Sequence, residues 1–390
     1  MEFRLAHRQS KHNIIRLKFL SKDRSCPSES IPSGQYFIHP AYRIRATFLC
    51  FLNLFPEERW SNWAELDDIA EKLDVMICEL FVALAVAVSG QTVRDTSGIV
   101  AVFWNLENFF DYEDGWGGDS DREFSPGGTK HWTASKFYRK CDAVAKSLLW
   151  MEDAYGRIPD VLGVAEVENR SVPERMLRNT LLRKYGYSVL HRESPDHRGI
   201  DVALLYRKST FRCIASGIRR LDSMATRDIL FADLEVRKTG ERIAFAVNHF
   251  PSKYGGPSTS GRRNAASVAL HSLCDSIISS GTSSVVAMGD FNDVPSSPVF
   301  CPLKPLMLNL SEPFENAGEG TIRFNGKWDM IDMFWVSPAL YGRAEMDIVR
   351  LPFLMAWDNV HPGFKPLRTY SGPRYLGGVS DHCPVLLRLR

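Results

Sequence analysis

Apolar runs that each meet a carboxylate, an amide or a histidine at one end recur along residues 97–390. This recurrence limits the fold more than any other feature of the chain. Ile99–Trp104 runs into Asn105-Leu106-Glu107-Asn108, and Val161–Ala165 ends at Glu166. Val285–Met288 leads to Gly289-Asp290-Phe291-Asn292-Asp293. Ile331-Asp332 opens Met333–Val336, and Ser380-Asp381-His382-Cys383-Pro384 precedes Val385–Leu387. Short runs without polar alternation fit strands buried on both faces. Their polar ends must then gather at the rim of a sheet. The strands expected are Ile99–Trp104, Val161–Ala165, Ser188–Leu190, Val202–Tyr206, Arg212–Ser216, Ile229–Glu235, Arg242–Val247, Ser284–Met288, Met330–Val336 and Val385–Arg388. A first helix follows Thr133, a good N-cap, with Phe137, Cys141, Val144, Leu148 and Met151 at helical spacing. A second has Pro173 in its first turn and ends near Gly186, and a third runs from about Arg262 to Ile278 and closes at Gly281. Many strands with few helices predict an α/β architecture, two sheets face to face with helices outside.

The 390 residues suffice for one large domain or two small ones, and the net charge of +2 supplies no global basic field for nucleic acid. A polyanion would have to be met by local Arg/Lys groups. Eight cysteines without a C-x-x-C pair indicate neither a zinc site nor a disulfide framework. Five follow Gly90, and an odd number leaves at least one free thiol.

Residues 1–75 differ from the rest, with scattered basic and aromatic residues and one short helical patch at Trp63–Leu73. The apolar stretch inside 76–90 is too short for a bilayer, which needs about 20 residues. It suits a signal-peptide core, with Val88-x-Gly90 offering small residues for cleavage. The expectation is that translation starts near Met76, that 1–75 is an uncertain extension, and that the protein is exported to the periplasm or medium. A start upstream makes it cytoplasmic. A buried helix is the alternative for 76–90. No stable membrane span is expected.

Four motifs sharpen the reading: Asn105–Phe110, Glu166-Val167-Glu168-Asn169, Arg198-Gly199-Ile200-Asp201-Val202-Ala203 and Asn248-His249-Phe250-Pro251-Ser252-Lys253. Together with Gly-Asp-Phe-Asn and Ser-Asp-His, in that order, they make the chain from Ser97 to Arg390 resemble the endonuclease/exonuclease/phosphatase superfamily, and most of all its bacterial exported members. Ala165 departs from the pattern: many relatives carry Gln before the metal-binding Glu. The resemblance implies a four-layer α/β/β/α sandwich and metal-dependent hydrolysis of a phosphoester; an all-oxygen donor set suits Mg²⁺ or Mn²⁺, and a monomer is expected.

Phosphodiester hydrolysis needs an activated water, a stabilised phosphorane and a leaving oxygen kept from building free charge. A hard cation bound by carboxylates serves the last two needs. Glu166 is the first choice as ligand, with Glu107 and Asp381 as partners. Glu168, two positions on, would share the face of Glu166 in an extended strand. Taken alone, Glu166 is a solvated strand-end charge. His382 can accept a proton near neutral pH, and the resemblance pairs it with Asp332. The resemblance also has Asp290 align or deprotonate the nucleophile, or bind a second metal. Asn292 donates to a phosphoryl oxygen, and His249 binds phosphate or acts as general acid beside a second donor, Asn248. Asn105 holds the dyad or a metal-bound water. Arg198 and Asp201 are substrate-binding candidates, or else a salt-bridged strand start. Lys253, Arg262 and Arg263 flank a Gly/Ser-rich loop and would hold further phosphates, or form a solvated helix start. Asp111–Thr129 reads as a solvated acidic loop rather than a calcium site. In the long segment Leu351–Gly378, Arg368, Tyr370 and Tyr375 are candidates to shape a pocket. The leading function is an endonuclease-like phosphodiesterase acting on nucleic acid or another phosphodiester. The alternatives are a hydrolase of a lipid or small phosphate ester, and a catalytically silent binding module.

Overall fold

Unbroken apolar strands need cover on both faces, and the chain provides it by stacking two six-stranded sheets. The computed structural model describes residues 98–113, 115, 120–221, 224–253 and 259–390. The patch at Trp63–Leu73, the apolar segment within 76–90, and Asp114 and Asp119 lie outside the described residues.

The strands in chain order are β1 (Ile99–Phe109), β2 (Val161–Val167), β3 (Tyr187–His191), β4 (Asp201–Arg207), β5 (Phe211–Arg219), β6 (Ile229–Val236), β7 (Arg242–His249), β8 (Ser284–Asp290) and β9 (Leu308–Asn309). They continue with β10 (Ile322–Phe324), β11 (Lys327–Asp329), β12 (Asp332–Val336), β13 (Ala344–Ile348), β14 (Met355–Trp357), β15 (Phe364–Pro366), β16 (Tyr370–Ser371), β17 (Arg374–Tyr375) and β18 (Val385–Leu389). The helices are α1 (Ala134–Tyr155), α2 (Ser171–Asn179), α3 (Ser260–Ser279) and the short α4 (Glu312–Asn316).

One sheet has the order β13-β18-β1-β2-β4-β3 and the other β5-β6-β7-β8-β12-β9. Alternate residues divide each central strand between two cores. Ala101 and Phe103 meet Phe245, Val247, Val286 and Met288 between the sheets. Val102 and Trp104 pack outward with Phe137, Val144 and Leu148 of α1, alongside Met176 of α2. Val285 and Ala287 pack outward with Leu270 and Cys274 of α3. The result is a four-layer α/β/β/α sandwich of mixed sheets. At Gly163 the sheets approach closely, since a Cβ there would lie 2.7 Å from Met288 Cε. Thr133 caps α1 as expected, its side chain accepting from Lys136 N. The five described cysteines of this domain are all free thiols.

Each sheet holds one parallel pair joined through a helix: β1–α1–β2 and β7–α3–β8. The carboxyl ends of these four strands therefore point the same way within each pair. β12 runs antiparallel to β8 and β18 antiparallel to β1, so the start of β12 and the turn before β18 reach the same rim.

Two expectations change, and the long segment gains a structure. β1 extends past Trp104 to Phe109 through a bulge opposite β2. Asp111–Thr129 is not simply solvated: Asp111, Asp121, Phe124 and Ser125 are buried, and Phe124 stacks on Phe110 and meets Trp132. Leu351–Gly378 forms two short hairpins, β14–β15 and β16–β17, the first tied down by Arg323 donating to the carbonyls of His361 and Pro362. Among the described residues no helix is long and apolar enough to cross a membrane.

Candidate active site

The rim holds a polar cavity of about 450 Å³ lined by Asn105, Glu107, Asn108, Glu166, Arg198, Arg262, His249, Asp290, Asn292, Arg368, Asp381 and His382, among others. Register explains the convergence. Asp290 pairs with His249 across the parallel β7–β8 ladder and with Asp332 across β8–β12. Gly289 makes that approach possible, since a Cβ there would stand 2.4 Å from the Asn248 carbonyl oxygen. Six non-glycine residues among those described have left-handed backbone, and four of them (Glu107, Asn108, Glu166 and Asn292) line this cavity. Such conformations cost energy and persist where the surrounding structure over-determines them, typically at functional sites.

His382 Nδ1 lies 2.7 Å from Asp332 Oδ2, and its Nε2 faces Asp290 Oδ2 at 3.9 Å. The histidine is held from behind. Trp104 Nε1 donates to its carbonyl at 3.0 Å, and its own N–H donates to Ser380 Oγ, which in turn donates to the Asn105 carbonyl. Burial alone would lower the His382 pKa. The charge and hydrogen bond of Asp332, then Asp290 and Asp381, reverse this and hold it well above the ordinary value. Asp290 is buried and shifts the other way. Burial pushes it up to about 7, His382 opposing, Asp332 adding, and hydrogen bonds from Asn105 Nδ2 and the Asn292 backbone pulling it back. His249 Nε2 stands 3.7 Å from Asp290 and 4.0 Å from Glu166. Burial first, then Arg227, Arg198 and His382, hold His249 well below its usual pKa, so it is neutral.

Glu166 accepts from the Asn108 backbone at 2.8 Å through Oε2 and lies 3.5 Å from Arg198. Among the described residues its Oε1 accepts no hydrogen bond, though the side chain is only 12% exposed. A mostly buried carboxylate oxygen with no donor fits an all-oxygen site for a hard divalent cation, and Mg²⁺ asks for only one or two protein carboxylates. Glu107 and Asp381, the other two expected ligands, also line the cavity, and both meet Arg368. Glu107 spends both oxygens on Arg368 Nε and Thr369 N, each at 2.9 Å, and Arg368 also reaches Asp381 at 3.1 Å. A guanidinium thus sits between these two carboxylates. Burial, with Asp381 adding, lifts Glu107 to about 7.

The structure brings together Asn105, Glu107, Glu166, Arg198, His249, Arg262, Asp290, Asn292, Arg368, Asp381 and His382 at the cavity, with Asp332 behind His382. It leaves Asn248, Asp201 and Lys253 off the wall. Asn248 is buried and donates to Met288 O across the β7–β8 ladder. Asp201 faces His191 and Ser194, and Lys253 pairs with Asp293 at 2.9 Å. Arg263 is buried on the same Asp293. Tyr370 and Tyr375 pack on each other; of the long segment, Arg368 is the candidate that reaches the cavity. Glu168 does not share the face of Glu166. Glu166 is left-handed and the ladder shifts there, so period-two alternation breaks and Glu168 accepts from Asp111 N instead.

Sequence reasoning missed Lys140, Asp196 and Arg227. Lys140 stands on the buried face of α1 and donates to the Glu107 carbonyl at 2.6 Å and to Thr369 Oγ1 at 2.8 Å. Its position three residues after Phe137, on the apolar stripe, was a usable signal. Arg227 bonds Asp196 at 2.8 Å and the Phe250 carbonyl at 2.9 Å, and both Arg227 and Asp196 line the cavity. Only tertiary pairing reveals that bridge.

Two sheets whose ends gather a histidine–aspartate pair, buried carboxylates, amides and guanidiniums define a metal-dependent phosphoester hydrolase. The model of the endonuclease/exonuclease/phosphatase family matches residues 100–390, and the chain belongs to that family. Its fold is similar to that of an endonuclease/exonuclease/phosphatase family protein from Bacteroides thetaiotaomicron, at 14% identity and TM-score 0.50, over 75% of this chain and 95% of that one. A mannosyl-6-phosphatase from the same species aligns at 15% identity and TM-score 0.49, over 75% of this chain and 99% of that one. The human nocturnin catalytic domain with bound sulfate aligns at 18% identity and TM-score 0.46, over 75% and 94%. No curated protein matches the sequence.

Proposed function

We propose that the chain is an endonuclease-like phosphodiesterase in which Asp290 is the base and His382 the electrophile. The observation that carries this reading is the 3.9 Å gap between His382 Nε2 and Asp290 Oδ2. On one side stands an imidazole held protonated, on the other a carboxyl that titrates near 7. Groups whose environments push their protonation apart in this way mark acid and base roles. Asp290 takes a proton from water as the water oxygen bonds to phosphorus and the bond to the leaving oxygen breaks. The His382 imidazolium, fixed by Asp332, donates to the developing charge on a phosphoryl oxygen. His249, kept neutral, offers a donor without placing a second positive charge beside it. Asn292 spends one amide hydrogen on the Phe250 carbonyl at 3.0 Å and has another for the phosphoryl group. Asn105 aligns Asp290. A Mg²⁺ or Mn²⁺ ion on Glu166 would neutralise charge on the phosphoryl and leaving oxygens.

Arg262 supports a polyanionic substrate: it lines the cavity, is exposed, and makes no ion pair among the described residues. It is free to meet a second phosphate. Arg198, Arg227 and Arg368 are each neutralised by a carboxylate, which favours the second reading, a lipid or small phosphate ester. Nicking of supercoiled plasmid is to be compared with hydrolysis of a short-chain phospholipid, each with and without EDTA. EDTA-sensitive nicking is expected; phospholipid hydrolysis without nicking would transfer the assignment to the second reading. We also propose that residues 97–390 are the catalytic domain and that export follows cleavage near Gln91. N-terminal sequencing of the native protein tests this, and a mature start far upstream of Gln91 would refute it.

A further inference from the structure

A second cluster of metal-ligating side chains lies where β3 hands over to β4, outside the cavity. One His191 ring nitrogen, one Glu193 oxygen and one Asp201 oxygen lie within 4.8 Å of one another. His191 and Asp201 are buried, at 4% and 2% exposure, while the Glu193 side chain is 72% exposed and leaves the cluster open to solvent. His191 Nε2 is 3.2 Å from Asp201 Oδ2, and Nδ1 is 3.7 Å from Glu193 Oε1. Yet buried Nε2 makes no hydrogen bond among the described residues. Asp201 Oδ1 is already taken by the backbone N–H and hydroxyl of Ser194, which leaves Oδ2 turned to the histidine.

This geometry suits a shared cation better than a pinched imidazolium. An imidazolium between two carboxylates would donate a straight hydrogen bond to each. Ligands of one tetrahedral ion instead stand about 3.4 Å apart, off each other's bonding axes, because their lone pairs aim at the ion and not at one another. The 3.2 Å contact without hydrogen-bond geometry is of that second kind. The charge balance points the same way. Several other buried aspartates of this domain take arginines: Asp160 has Arg157 and Arg207, and Asp196 has Arg227. Among the described residues no lysine or arginine pairs with Glu193 or Asp201.

We propose that His191, Glu193 and Asp201 form a second divalent-cation site, with a mixed nitrogen–oxygen donor set suited to Zn²⁺ or Mn²⁺. Its role is positional. The connection it closes, residues 192–200, carries Asp196 and Arg198. Arg198 donates to Asn108 Oδ1 at 2.8 Å, and Asp196 takes Arg227 at 2.8 Å. A cation tying His191 to Asp201 fixes both ends of that connection and so sets where Arg198 meets the cavity.

The test measures Zn²⁺ bound per chain, by elemental analysis and calorimetric titration, in the full-length parent and in His191→Ala, Glu193→Gln and Glu166→Gln. The parent and Glu166→Gln should both hold one Zn²⁺ equivalent that His191→Ala loses. Glu193→Gln should weaken that equivalent by about tenfold or more, since even groups that only support ligands cost about 10- to 100-fold. Zn²⁺ should also raise the unfolding temperature of Glu166→Gln but not of Glu166→Gln/His191→Ala. If His191→Ala does not fold, Glu193→Gln decides alone, because its side chain is exposed and isosteric. Unchanged Zn²⁺ stoichiometry and affinity in the folded His191 and Glu193 variants would overturn the proposal. So would the absence of any Zn²⁺ equivalent in Glu166→Gln.

Discussion

The chemistry rests on a few side chains whose charge states are set by their neighbours. His382→Ala should lower turnover by about 10²- to 10⁴-fold, the range for a positioned acid/base group. Asp332→Asn should lower it too, because it disturbs the imidazole tautomer and removes the charge that keeps His382 protonated. The double variant should be scarcely worse than His382→Ala, since residues acting as one unit are not additive. Steady-state kinetics with thermal unfolding of all three checks this, and losses that multiply would count against the pair. Asp290, raised to about 7, predicts a rate that climbs as pH rises through about 7 and then levels. The stability effect has the opposite sense. From about pH 4 to 7 folded Asp290 holds a proton that the unfolded chain has released, so its contribution falls as pH rises. His382, raised, adds stability that is complete below about 6.5, the unfolded value, and is lost as pH rises through its folded pKa. Urea midpoints of the parent and Asp290→Asn between pH 4 and 8 should show a shallower fall in the variant.

At the scale of elements, the site depends on strand pairs whose carboxyl ends lie side by side. Gly289→Ala places a methyl 2.4 Å from the Asn248 carbonyl oxygen and must push β7 from β8. We expect a cost of about 1–3 kcal/mol, as for overpacked sites. The loss of activity should exceed what the remaining folded fraction explains, because His249 and Asp290 are register partners across that ladder. Activity per folded molecule, with the folded fraction taken from circular dichroism, is the measurement. The central strands were legible because both of their faces are buried and the apolar runs are unbroken. β13 was not, since its partner β18 lies far along the chain and its burial alternates weakly; the short hairpins were not, since strands of two or three residues are too short to show a period. The local pattern at Glu166–Glu168 was misleading because one left-handed residue cancels the alternation on which face assignments rest.

For the molecule as a whole, excess EDTA should abolish hydrolysis and Mg²⁺ or Mn²⁺ should restore it. Glu166→Gln should need more metal than the parent while unfolding at nearly the same temperature. A metal titration of activity beside a melting curve reads both, and an unchanged metal requirement would remove Glu166 as ligand. The sequence by itself determined the family, the layered α/β class, the central strands and most of the cavity wall. Those follow from apolar periodicity and from motifs in which the reactive residue and its strand are contiguous. Only the tertiary structure decided how the carboxylates are shared out: Glu166 left with an oxygen that accepts no hydrogen bond among the described residues, Glu107 and Asp381 bound to Arg368, Asp201 turned to His191, and Lys140 buried beneath Glu107. A carboxylate's role depends on which cation reaches it and how much water is left around it. Both are set by chain segments tens to hundreds of residues apart, and no local pattern records them.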